Sequence, residues 1–148
     1  MGDSNNHLAG QLPPDPYPQL HQLDRLVGEW RVSGPFLQGT LTFEWMEGGF
    51  FLIQRVTAEG GGRTIRGIEY IGYDEDSSTC RSHYLDIHGA NFTYTYEMEG
   101  DTIRIWFGER GSDNAFVGRF ADDGMSYSGE WKWPGGGYSA TMTRTSSQ

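Results

Sequence analysis

His83 is the residue best equipped for chemistry in this sequence. It lies in "SHYLDIHGANFTYTY", residues 82–96, where apolar and polar side chains alternate on both sides of a Gly89-Ala90 pair. That alternation predicts two strands joined by a tight turn. With Gly-Ala as the turn, opposed residues share a face, so Ile87 meets Phe92, Leu85 meets Tyr94 and His83 meets Tyr96. On the other side, a turn over Glu75–Ser78 sets Tyr70 against His83 and Ile68 against Leu85. An imidazole between two phenols has an ordinary pKa of about 6.5, which burial lowers. It suits a ligand hydrogen-bonder or a general acid–base group. The same hydroxyls equally suit a core histidine whose polar atoms are satisfied.

Other polar side chains converge on the same region. Gln54, aligned with Phe43 by the Gly48-Gly49 turn, points inward and offers a ligand both a donor and an acceptor. Its alternative partner is a neighbouring tyrosine. Arg66 follows "EGGGR", where the register is open by one residue. Inward, it is a clamp for a carboxylate or phenolate; outward, it pairs with acidic neighbours. Trp131, Trp133 and Tyr138 flank "PGGG" at 134–137 and form either a stacking wall for a flat ligand or simple filling for a wide interior. Turn by turn, the inner face collects Trp30, Phe43, Trp45, Leu52, Ile68, Tyr70, Leu85, Tyr94, Tyr96, Ile105 and Met142 as well. Across the "GD" turn at 100–101, Glu97 pairs with Arg104 on the outer face. No carboxylate with a poised role reaches this interior, and Asp86 faces outward.

These residues need a scaffold. Residues 1–17, "MGDSNNHLAGQLPPDPY", are polar and proline-rich, the pattern of a flexible tail before a single domain over 18–148. "PQLHQLDRLVG" spaces Leu20, Leu23 and Leu26 for a short helix that Gly28 stops. From Trp30 the period becomes two. Ten strands are predicted, roughly over 29–34, 39–46, 50–58, 63–73, 79–88, 91–98, 102–108, 114–120, 125–133 and 138–145. Sequential strands with tight turns make an antiparallel meander, and closure into an all-β up-and-down barrel removes its exposed edges.

"LVGEW" ends the helix and opens the first strand with Gly-x-Trp, and "MTR" closes the last strand. This resembles the calycin arrangement of lipocalins, fatty-acid-binding proteins and nitrobindin. The resemblance implies that Trp30 packs under Arg144 and plugs the closed end. "FEWMEGGFFLIQR", "IGYD" and "SHYLDIHG" are similar to a group of uncharacterised bacterial lipocalin-like proteins over roughly residues 20–145. Nitrobindin-like proteins hold haem through a histidine near the C-terminal end. The last histidine here is His88, so haem is not carried over and no cofactor is expected.

Composition narrows the function classes. The chain has 148 residues, a net charge of −9 and one lysine, Lys132. A phosphate backbone or an anionic membrane needs a basic surface, and none exists. The one cysteine, Cys80, excludes an internal disulfide and a cysteine metal cage. His83 and His88 fall on opposite strand faces and cannot chelate one ion; His7 and His21 lie outside the barrel. No signal peptide or apolar span is present, which predicts a cytoplasmic protein. Phe51, Ile53, Ile65, Ile71, Tyr84 and Trp106 fall on the outer face and predict a homodimer surface.

The expectation is a barrel that binds a small apolar or aromatic molecule, oriented by His83, Gln54 and the tyrosines Tyr70, Tyr94, Tyr96 and Tyr138. The alternative is an isomerase, cyclase or hydratase that moves protons with His83 and Tyr96.

Overall fold

A computed structural model describes residues 10–145; His7 and most of the N-terminal tail lie outside that range. One short 3-10 helix, Pro18–Leu26, precedes ten strands. They are β1 (Gly28–Ser33), β2 (Leu37–Trp45), β3 (Leu52–Gly60), β4 (Arg63–Asp74), β5 (Thr79–Asp86), β6 (Asn91–Glu99), β7 (Thr102–Phe107), β8 (Ala115–Phe120), β9 (Ser126–Trp133) and β10 (Gly136–Arg144). Each strand is antiparallel to the next, and β10 returns to β1, so the barrel is closed. The all-β up-and-down expectation holds. The helix is 3-10 because Leu20, Leu23 and Leu26 recur at intervals of three, which matches that helix's repeat and aligns all three on one buried face.

The helix and the chain ends close one end of the barrel. Trp30 is fully buried and donates its indole N–H to the Leu26 carbonyl at 2.8 Å. Arg144 stacks 4.1 Å above the Trp30 ring and donates to the Val27 and Arg25 carbonyls at 2.6 and 2.9 Å. Trp45 reaches Asp24 and Arg25 reaches Asp101, so the helix is tied to the β2 and β7 ends. Tyr17, at the end of the expected tail, stacks on Tyr73 with centroids 4.7 Å apart and donates to Glu75.

Most hairpin registers follow the turn chemistry. Trp45 pairs with Leu52 and Phe43 with Gln54. Tyr70 pairs with His83, and Tyr96 pairs with Ile105. Three expectations change. A four-residue turn over 134–137 would set Trp133 against Tyr138 and Tyr127 against Arg144, but the turn has two residues, Pro134-Gly135, with Gly135 at φ 90°. Tyr138 therefore opposes Trp131, and Met142 opposes Tyr127. This slip of two keeps every side chain on its expected face. Although Glu97 lies opposite Arg104, the ion pairs made are Arg104–Glu99 and Arg110–Glu97.

The third change decides the interior. The chain does not reverse at Gly89-Ala90 alone. Asp86 Oδ1 accepts the backbone N–H groups of His88 and Ala90 at 2.8 and 3.0 Å. This Asx-type cradle widens the loop, so Leu85 opposes Asn91 and Tyr84 opposes Phe92. The register slips by three, an odd number, and every β5 side chain changes face. Because β4 is locked to β5 in the expected register, β4 turns over with it. His83, Leu85, Ile68 and Tyr70 therefore face outward, with Tyr70 37% and Leu85 44% exposed. Ile71, Glu69, Cys80 and Ser82 take the buried face instead. Ile65, Ile71 and Tyr84 leave the expected dimer surface for the same reason, and the six residues assigned to it do not form one patch.

Candidate functional site

The barrel encloses a cavity of about 170 Å³. Its walls are apolar and aromatic, with Phe116, Trp131, Tyr94 and Tyr138 prominent among them. Tyr94 and Trp131 meet edge to face with centroids 6.0 Å apart, as do Tyr94 and Phe107 at 5.6 Å. Edge-to-face contact is a favoured arrangement of aromatic rings. Phe36, Phe92, Phe107 and Trp133 are each partly exposed. Phe36 packs at a tilt on Tyr138, and Phe92 meets Phe107 edge to face.

Into this apolar space projects Glu69, only 4% exposed. Strand pairing sets Glu69 directly between Gln54 on β3 and Tyr84 on β5. Three donors hold its carboxyl. Gln54 Nε2 and Tyr96 OH donate to Oε1 at 2.5 and 2.9 Å, and Ser82 Oγ donates to Oε2 at 2.5 Å. Burial pushes the carboxyl pKa up to about 7, against the three hydrogen bonds that favour the ionised form. A carboxyl that changes charge near neutral pH in an apolar-walled cavity is equipped to exchange protons or to bind a charged group.

The phenols around it stay protonated. Burial pushes Tyr84 and Tyr138 up to about 12. Tyr94 and Tyr96 are raised further, by burial first and by the Glu69 charge second. Tyr127, below them, is also raised by burial. Cys80 is buried and its thiol is pushed up to about 11, so it stays an unreactive thiol.

The cavity brings together Gln54, Tyr94, Tyr96, Trp131 and Tyr138 from the sequence-based set. Four others do not line it. His83 is exposed on the outer face, its Nε2 2.9 Å from Asn91 Oδ1. Tyr70 stands beside it on the same face. Arg66 is exposed on the outer face, which closes the inward alternative for an anion clamp. Trp133 is 39% exposed and packs against Tyr138 at 6.1 Å between ring centroids.

Sequence reasoning missed Glu69 and Ser82, yet a signal for Glu69 was present. Gly61-Gly62 forms a two-residue turn with φ 59° and 78°, the left-handed pair of a type I′ hairpin. That turn pairs Gly60 with Arg63 and, by count, Gln54 with Glu69. Since Gln54 was already inward, Glu69 had to follow. No protein-family profile matches the chain, and no curated protein is significantly similar to it. Among the described residues no helix is long and apolar enough to cross a membrane.

Proposed function

We propose that the barrel binds a small, mainly apolar or aromatic molecule in its central cavity, oriented by Glu69, Gln54 and Tyr96. The observation that carries this reading is a hollow, aromatic-walled interior with one buried carboxyl and its donors projecting into it. Binding cavities commonly pair apolar walls with a few polar groups that set orientation. At about 170 Å³ the space resembles the roughly 150 Å³ cavities known to accept a benzene-sized guest. Gly28-x-Trp30 and the Arg144 stack favour grouping the chain with calycin-like barrels, whose closed end they would form.

The test is intact mass under native conditions on freshly purified protein, with uptake of an apolar fluorophore measured in parallel. A non-covalent adduct or fluorophore binding should be abolished by Val56→Trp, which fills the cavity, and preserved in His83→Ala, which alters only the outer face. A bare polypeptide mass with no fluorophore uptake would sink the reading.

One observation favours a second reading, proton-transfer catalysis. Glu69 titrates near neutral pH with a phenol 2.9 Å from Oε1, which suits a general acid–base pair. In this version Glu69, not His83, moves the proton. Glu69→Gln would then abolish turnover while affinity survives; under the binding reading, affinity itself falls.

A further inference from the structure

Every partner of the Glu69 carboxyl is a neutral donor: an amide, a phenol and an alcohol. An ionised carboxylate offers about four acceptor positions. Gln54 and Tyr96 use two on Oε1, and Ser82 uses one on Oε2, which leaves one on Oε2. Among the described residues lining the cavity there is no lysine, arginine or histidine. Three donors thus hold the site ready for a negative charge, yet nothing in it supplies the positive one. Buried charges are ordinarily paired.

The surroundings favour a cation. Tyr84, Tyr94, Trp131 and Tyr138 line the same space, and aromatic faces attract ammonium groups most strongly where water is excluded. The whole protein, at −9, draws cations toward itself before contact.

We infer that the cavity's occupant is a small organic cation, an arylalkyl- or alkylammonium compound. Its N–H donates to Glu69 Oε2, and its carbon skeleton lies against the aromatic walls. The inference rests on the reading of the cavity as a ligand site. In the free protein at slightly acid pH the proton sits on Oε2, because Gln54 can only donate to Oε1, and the Ser82 hydroxyl turns to accept it. When the ammonium enters, that proton leaves for solvent and Ser82 turns back to donate. Among the described groups lining the cavity, Glu69 is the one that changes charge between pH 5.5 and 8.5. The cavity's tyrosines on β5, β6, β9 and β10 and the Cys80 thiol stay neutral across that range. Asp86, on β5 beyond Tyr84, is held below the usual carboxylate range: burial opposes this, and the N–H groups of Ala90 and His88 prevail. Arg144 lies at the floor against Tyr127 and remains a cation.

Calorimetric titration with 2-phenylethylamine, 2-phenylethanol and phenylacetate tests this, since the three probes share a ring and differ in headgroup charge. The amine, like a lysine side chain with its pKa of about 10.4, stays charged throughout. At pH 8 it should bind at least tenfold more tightly than the alcohol, and phenylacetate least tightly. At pH 6, titrations in buffers of different ionisation heat should show release of close to one proton per amine bound; at pH 8.5 they should show almost none. Glu69→Gln should bring amine and alcohol within about twofold. Tyr96→Phe, which removes one donor, should move the onset of amine preference upward by about one pH unit. If the alcohol or phenylacetate binds as tightly as the amine, the cavity is a ligand site but the cation assignment is wrong. If amine preference persists in Glu69→Gln, the assignment is also wrong. If none of the three binds at millimolar concentration, the ligand-site reading fails and this one with it.

Discussion

Glu69 is enclosed by the barrel with Gln54, Ser82 and Tyr96 turned toward it, and its protonation is tied to folding. In the unfolded chain it titrates near its ordinary value of 4.5; in the fold, burial raises it to about 7. The folded state therefore prefers the protonated acid. Its contribution to stability is complete below pH 4.5 and is lost as pH rises, with the loss finished just above 7. A shift of this size corresponds to about 2–3 kcal/mol between pH 5 and pH 8. Urea melts of wild type and Glu69→Gln at both pH values check it, because the amide has no proton to lose. Wild type should lose about that much more stability than the variant on going to pH 8. Parallel losses would mean that Glu69 titrates alike in the folded and unfolded chains. His83 shows how narrowly such a site can be misassigned from sequence. Its type and neighbours fit an interior role, and one odd slip of register put it outside.

At the scale of elements, two devices fix which faces are buried. Asp86 gathers two backbone N–H groups and widens the β5–β6 connection, which turns both β4 and β5 over. Between β8 and β9, Gly118 and Gly129 lie directly opposite each other, and the backbones approach too closely for a side chain. A Cβ on Gly129 would sit 2.1 Å from the Val117 carbonyl oxygen and 2.5 Å from Gly118 Cα. Both are backbone atoms, so relief requires the strands to part. Gly129→Ala should therefore destabilise by about 1–3 kcal/mol in denaturant melts. A change within 0.5 kcal/mol would show that the barrel wall flexes there without strain. The existence and order of all ten strands were legible, because each is a run of alternating side chains bounded by Gly, Asp or Pro. The facing of β4 and β5 was left in conflict, because the Gly61-Gly62 turn sets Glu69 inward beside Gln54 whereas a two-residue Gly89-Ala90 turn would set His83 inward.

For the whole molecule, closure depends on its two ends meeting. Trp30 on the first strand pairs directly with Arg144 on the last. The guanidinium both stacks on the indole and bonds two carbonyls at the helix–β1 junction. Lysine keeps the charge but neither the plane nor the fork of donors. Arg144→Lys should cost about 1–2 kcal/mol, whereas Arg119→Lys, on the exposed face, should stay within about 0.5 kcal/mol. Equal effects in thermal or urea unfolding would mean that the stack does not hold the barrel shut. By itself the sequence determined a closed all-β barrel with an aromatic interior, since alternation and turn residues act over a few neighbours and add up along the chain. Only the tertiary structure decided between the two turns whose counts disagree, and it sets Glu69 rather than His83 in the hollow. Facing is a parity, and it is set where an aspartate captures backbone donors and where neighbouring strands must keep their hydrogen bonds.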